Sequence, residues 1–273
     1  MPALEMASIR QIIAGSIYAG FFIFNKKAPI PSAKQFRWLV PMAILMFVSA
    51  NGLSTWSIEF IPAGLSSLIG ALYPLSVVII EKVFYKSKRL TALTFCGLFL
   101  GITGIAIVFY EDAFIHTGPS FLYGVFLSAV AMLSWSIGTV FIAGNKTNMN
   151  PYYSIGWQML IAGIILFIIS SFSQPHMPMN KIPAAAWLSI WYLVIFGSLI
   201  SFVAFIYSMQ KLPAAIASLY AYINPIIAMV AGLFILQEKL TINILWGSAV
   251  TLAGVFIVNY SMKRSAVIAE AEI

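Results

Sequence analysis

Charged residues in this chain lie far apart, and the gaps between them match the thickness of a lipid bilayer. Residues 38–58, 60–80 and 90–110 contain no Asp, Glu, Lys or Arg, and further charge-free runs occupy 113–145, 147–180, 182–210, 212–237 and 240–262. About 20 apolar residues rising about 1.5 Å each cross a hydrocarbon core of about 30 Å. Within that core every backbone N–H and C=O has to be satisfied inside the segment, which leaves helices or a closed β-barrel. A barrel would show short alternating segments of about 10 residues, and these runs do not alternate. With 61% hydrophobic and 8% charged residues, against about 25% charged in a soluble domain, the chain is read as an all-α polytopic membrane protein.

Nine spans fit, at about 6–24, 38–57, 63–83, 90–110, 120–142, 151–172, 184–207, 213–236 and 241–261. Pro29 and Pro31 punctuate the first loop, Asn150-Pro151 opens a helix, and Pro62 and Pro213 sit at helix starts, where a missing N–H costs nothing. Twelve of the fifteen basic residues fall in alternate loops: Lys26, Lys27, Lys34, Arg37, Lys82, Lys86, Lys88, Arg89, Lys146, Lys211, Lys263 and Arg264. The positive-inside rule makes that side cytoplasmic, with the N-terminus outside and the C-terminus inside. The net charge of +7 is therefore a topology signal. Nucleic-acid binding would need a clustered basic face, which is missing. Glu5 stands where a secretory signal would be basic. Cys96, the single cysteine, reads as a packing residue.

The chain also repeats itself. Aligning 56–74 with 207–225 matches Pro62 to Pro213, Ala63 to Ala214, Ser67 to Ser218, Leu68 to Leu219 and Pro74 to Pro225. Aligning 84–108 with 234–258 matches Leu90-Thr91 to Leu240-Thr241, Gly97 to Gly247, Gly104 to Gly254 and Val108 to Val258. Apolar helices resemble one another by chance, but paired prolines and glycines in register are hard to dismiss. The period encloses five helices, an odd number, so the copies are inverted relative to each other, as in many secondary transporters. Residues 1–112 form the first half, 118–264 the second, and 265–273 a cytoplasmic tail. Ala14-Gly15 pairs with Ala162-Gly163, so the first helix here corresponds to the second helix of the later half. The halves read as four plus five helices where five plus five is expected, and a truncated start is the favoured explanation.

Several stretches carry a family resemblance. They are Leu-Ser-Trp-Ser-Ile-Gly-Thr-Val-Phe at 133–141, Phe196-Gly197-Ser198, the run from Pro213 through Ser218-Leu219-Tyr220-Ala221-Tyr222-Ile223-Asn224 to Pro225, and Glu238-Lys239-Leu240-Thr241. Together with Arg10 ahead of Ala14-Gly15, they make the chain similar to EamA-type members of the drug/metabolite transporter superfamily. The resemblance implies ten helices in two inverted halves and movement of small metabolites or drugs across the bacterial inner membrane, with a leaning towards export. It also implies that the helix bearing Trp135, Ser136 and Thr139 lines the central cavity. Two departures stand out: the family's first helix is absent, and Lys88 stands where the second half has Glu238.

Pro74 and Pro225 occupy equivalent mid-span positions. A mid-helix proline removes one hydrogen bond and clashes with the carbonyl four residues back, and paired interruptions point to a transporter's central site. Packing kinks are the plainer alternative. Ser66, Ser67, Gly70, Tyr73, Ser218, Tyr222 and Asn224 are expected to serve the freed carbonyls. The candidate substrate-binding residues are Asn51, Tyr73, Trp135, Thr139, Tyr222 and Asn224, with Ser201 and Tyr207 weaker. For the amides, interhelical glue is as good a reading as substrate contact. The Gly97, Gly101, Gly104 stripe and its echo at Gly247, Thr251 and Gly254 read as close helix packing, with a homodimer seam as the alternative.

No carboxylate lies at the centre of a span, so a neutral, zwitterionic or amphipathic substrate is expected. Zinc spacing, a nucleophile elbow and a phosphate-binding Gly-Lys-Ser/Thr loop are all missing from the sequence. His116 and His176 are read as outer-loop residues. No metal, cofactor or enzymatic activity is expected; the partners are a small-molecule substrate and the bilayer. The reading is a secondary transporter working by alternating access, with a channel or facilitator, or a non-transporting membrane scaffold, as the rival.

Overall fold

The computed structural model describes residues 1–85, 91–115, 119–144, 149–173, 182–212, 217, 221, 224, 227, 234 and 241–271. Among them the fold is helical throughout. Helix α1 spans Ala3–Lys26 and α2 Ala33–Ala43, which runs through a wider π-helical segment, Ile44–Gly52, into α3, Leu53–Ser57. Helices α4 (Ala63–Gly70), α5 (Tyr73–Tyr85), α6 (Ala92–Ile115), α7 (Pro119–Gly144) and α8 (Pro151–Ser173) follow. Helix α9 (Ala184–Tyr192) passes through a second π-helical segment, Leu193–Ile200, into α10, Ser201–Lys211, and α11 covers Ile242–Ala271. Among the described residues six helical spans are long and apolar enough to cross a membrane, with shorter apolar helices at Ala92–Gly104 and Ile242–Val258. Most of the expected span 213–236 lies outside the described residues.

The helix starts obey local chemistry. Ser32 caps α2 through a capping box in which Gln35 Oε1 accepts from the Ser32 N–H at 2.8 Å. Asn150 Oδ1 accepts from the Tyr152 N–H at 3.0 Å and starts α8. Thr91 Oγ1 accepts from the Thr94 N–H at 3.2 Å, and Thr241 Oγ1 from the Ile244 N–H at 3.3 Å. The two repeat-matched Leu-Thr pairs are thus the same device, an N-cap for α6 and for α11. Helix α11 runs further than the sequence suggested, through 265–271, where Ala, Ile and Glu extend a helix at little cost.

The chain packs as two compact units, Met1–Trp56 with Phe141–Leu212, and Ser57–Val140 with Pro213–Ile273. Each draws on both sequence halves and gathers helices with their repeat counterparts. In the first, α1 lies against α8: a methyl at Gly15 would sit 2.7 Å from the Leu160 nitrogen, and one at Gly163 would sit 2.9 Å from the Ile12 nitrogen. Glycine pairs of this kind let helices meet backbone to backbone where lipid offers no hydrophobic drive. In the second unit, α6 and α11 do the same. Gly97 faces Gly254 and Gly104 faces Gly247 and Thr251, so the small-residue stripes pack within the chain. The glycines matched by the repeat exchange partners across that seam, as two-fold pseudo-symmetry requires.

The two π-helical segments begin at Ile44 and Leu193, 149 positions apart and hence at matched places in the repeat. Pro41 sits just ahead of the first; the second has no proline within α9 or the segment itself, so proline is not the common cause. Trp38, Leu39, Phe47 and Ser49 recur at that spacing as Trp187, Leu188, Phe196 and Ser198.

Candidate functional site

Polar groups in the first unit gather around α1. Arg10, the eighth residue of that helix, donates from Nη2 to Asn51 Oδ1 at 3.1 Å. Asn51 lies in the first π-helical segment, and its Nδ2 donates to the Met46 carbonyl five residues back, at 3.0 Å. Widening a helix to i→i+5 leaves its carbonyls splayed, and the Asn51 amide takes one of them. Ser201 does the same in the second segment, donating to the Phe196 carbonyl. Tyr18 donates to the Leu199 carbonyl of that segment at 2.6 Å, so α1 bonds to both widened stretches.

Around these bonds the unit buries more polar groups. Glu5 is 1% exposed, and Gln11 and Ser8 are fully buried. The Ser8 hydroxyl donates to the Gly163 carbonyl at 2.9 Å. Gln158 is 2% exposed and donates from Nε2 to Ser154 Oγ at 3.0 Å. Among the described residues, five buried polar atoms here lack a hydrogen-bond partner: Arg10 Nε, both amide atoms of Gln11, Trp157 Nε1 and Gln158 Oε1. Sequence reasoning passed over Glu5, Arg10, Gln11 and Gln158 as site residues. The signal that singled out Asn51, an amide inside an apolar span, applies equally to Gln11 and Gln158. The repeat register that pairs Gly15 with Gly163 also pairs Arg10 with Gln158.

In the second unit the structure brings three expected residues together. Tyr73 donates to Thr139 Oγ1 at 3.2 Å, and Thr139 donates to the Trp135 carbonyl at 2.8 Å. Tyr73 and Thr139 are buried, and Trp135 is half-buried. The helix that contains Pro74 is interrupted. Helix α4 ends at Gly70, Ala71 and Leu72 form a turn, and α5 begins at Tyr73. The Pro74 ring cannot tolerate the Gly70 carbonyl in an unbroken helix, so the break falls between them. Ser66 and Ser67 do not serve that break. Ser66 Oγ lies 3.1 Å from both Ser57 Oγ and Ser128 Oγ, and Ser67 donates to the Gly64 carbonyl at 3.1 Å. A small hydroxyl gains more from partners on adjacent helices, or one turn back, than from a carbonyl several residues ahead.

Asn51 belongs to the first unit and Tyr73, Trp135 and Thr139 to the second. Asn224 is helical and exposed, and Tyr207 is 58% exposed. Tyr222, Pro225 and Ser218 lie outside the described residues.

Comparison with known proteins agrees with this architecture. The profile of the EamA-like transporter family matches residues 1–110 and 122–260. The uncharacterized transporter YoaV of Bacillus subtilis (strain 168) is 24% identical over 270 residues, covering 97% of this chain and 89% of its own. The uncharacterized inner membrane transporter YedA of Escherichia coli (strain K12) is 26% identical over 234 residues, covering 85% of this chain and 73% of its own. A protein crystal structure superposes with a TM-score of 0.66 at 15% identity, covering 94% of this chain and 88% of that one, a likeness of fold.

Proposed function

The chain belongs to the EamA-like transporter family, and from that premise we propose that it exports a small organic metabolite by alternating access. The solute is amino-acid-like, nucleoside-like or amphipathic, and the membrane is the bacterial inner membrane. The N-terminus of the chain is outside and its C-terminus cytoplasmic. The observation that carries this reading is the pairing of π-helical segments. Ile44–Gly52 and Leu193–Ile200 widen at matched places in the repeat, and the widened stretches are bonded to α1 by Arg10 and Tyr18. π-Helical segments recur at functional sites, and irregular helix segments matched across inverted repeats are where secondary transporters place their cargo. Pro74 adds a helix interruption beside Tyr73.

An untargeted metabolite comparison between deletion and overexpressing cells tests this. An exporter leaves its cargo concentrated inside the deletion strain and enriched in the medium of the overexpressing strain. Identical metabolite profiles in the two strains, with the protein confirmed in the membrane, would contradict export.

A further inference from the structure

We infer that Arg10, held by the positioning residue Asn51, forms a subsite for the carboxylate of the transported solute. This rests on the carrier reading and narrows its three solute classes to the acid-bearing one. Arg10 sits two turns inside α1, at a depth where a cation needs a counter-charge or a polar cavity. Among the described residues its guanidinium bonds to a neutral amide, Asn51 Oδ1, and no carboxylate pairs with it. Arg10 is half-buried, and its Nε is closed off from water.

Asn51 cannot turn to offer anything else, since its Nδ2 is held by the Met46 carbonyl. One nitrogen of the guanidinium is thereby fixed, and the adjoining Nε–H is left without a partner. Unmet buried donors are costly. The pairing that suits a guanidinium edge is a planar carboxylate, which also supplies the missing negative charge. A neutral nucleoside would meet the donors and leave the charge uncompensated.

The test uses the full chain, lipid-free in detergent for binding and in proteoliposomes for exchange. The probes are a pool of the protein amino acids, the pool of their amides, and a pool of ribonucleosides, with retained members identified by mass spectrometry. The expected result is retention and exchange of acids and not of their amides. Arg10→Gln should raise the half-saturating concentration by about tenfold or more, the cost of one charge-assisted hydrogen bond, with Arg10→Lys between it and the wild type. Asn51→Asp separates ligand binding from scaffolding. An internal carboxylate would neutralise Arg10, keep or raise the thermal midpoint, and still weaken acid binding by a similar factor.

Retention of amides or ribonucleosides as strongly as acids, retention of no pool, or wild-type affinity in Arg10→Gln would overturn the subsite. So would thermal stabilisation by phosphatidylglycerol and by none of the acids, which would assign Arg10 to a lipid headgroup. Exchange of ribonucleosides alone would sink the subsite and leave the carrier standing. Acid binding without exchange would do the reverse.

Discussion

The Tyr73 hydroxyl donates to Thr139 Oγ1 at 3.2 Å, tying the residue just ahead of Pro74 to the last two turns of α7. Because the chain is interrupted at Ala71 and Leu72, this bond anchors the start of α5, which the rest of its helix cannot hold. Tyr73→Phe should lower stability by about 1 kcal/mol, the net worth of one buried hydrogen bond. Thr139→Val removes the same bond and should cost about 1–3 kcal/mol. The double variant should cost less than the two single losses added together. Strict additivity of the three thermal midpoints in detergent would mean the contact carries no energy.

Pro74→Ala restores an N–H and removes the clash with the Gly70 carbonyl. Pro74 lies in the first turn of α5, where proline is tolerated, so the stability gain should stay below about 1 kcal/mol. If the interruption serves transport, exchange should slow severalfold while the thermal midpoint holds or rises. A lowered midpoint with unchanged exchange would reduce Pro74 to a packing kink.

Two glycines separate close approach from open space. A methyl at Gly104 would collide with the Thr251 backbone and the Gly247 carbonyl, whereas one at Gly70 meets nothing within 4 Å. Gly104→Ala should therefore destabilise by about 1–3 kcal/mol. Gly70→Ala should be neutral or stabilising by up to about 1 kcal/mol, because no glycine among the described residues, Gly70 included, has a positive φ. Equal midpoints for the two variants would mean α6 and α11 do not meet as described.

Orientation is open to labelling, because Cys96 is the one cysteine. In a Cys96→Ala background, Ile30→Cys in the first loop should react with an impermeant maleimide only when the cytoplasmic face is exposed. Ile58→Cys should react from the outside. Both residues are exposed, at 70% and 49%. Reaction of Ile30→Cys in intact cells would invert the topology.

Much of the fold was legible in the sequence because lipid imposes simple rules. Length and absence of charge marked the spans, and the residues ahead of the helices, Asn150 and Thr91 among them, marked the starts. Pro74 announced its own break through steric necessity. The π-helical segments were not legible. Inside a largely apolar run such as Ile44–Gly52, where Ser49 and Asn51 are the polar residues, widening the helix moves few polar groups, so periodicity has little to register. The second unit's polar lock was half-legible, since Tyr73, Trp135 and Thr139 stood out as polar or aromatic in apolar surroundings. The cluster on α1 was missed for the opposite reason. Glu5, Arg10 and Gln11 sit near the start of the chain, where charge reads as an outer loop. Only the burial of Glu5 and Gln11, and the bond from Arg10 to Asn51, show them to be interior.

Solute counterflow through purified protein in liposomes tests the carrier reading most directly. Vesicles are preloaded with the metabolite that accumulates in the deletion strain, and entry of labelled metabolite is followed at rising external concentrations. A saturable influx, accelerated by the internal solute and overshooting its equilibrium level, is the expected result. Influx that rises linearly without stimulation from the far side, or a unitary ionic conductance in planar bilayers, would contradict alternating access and identify a channel.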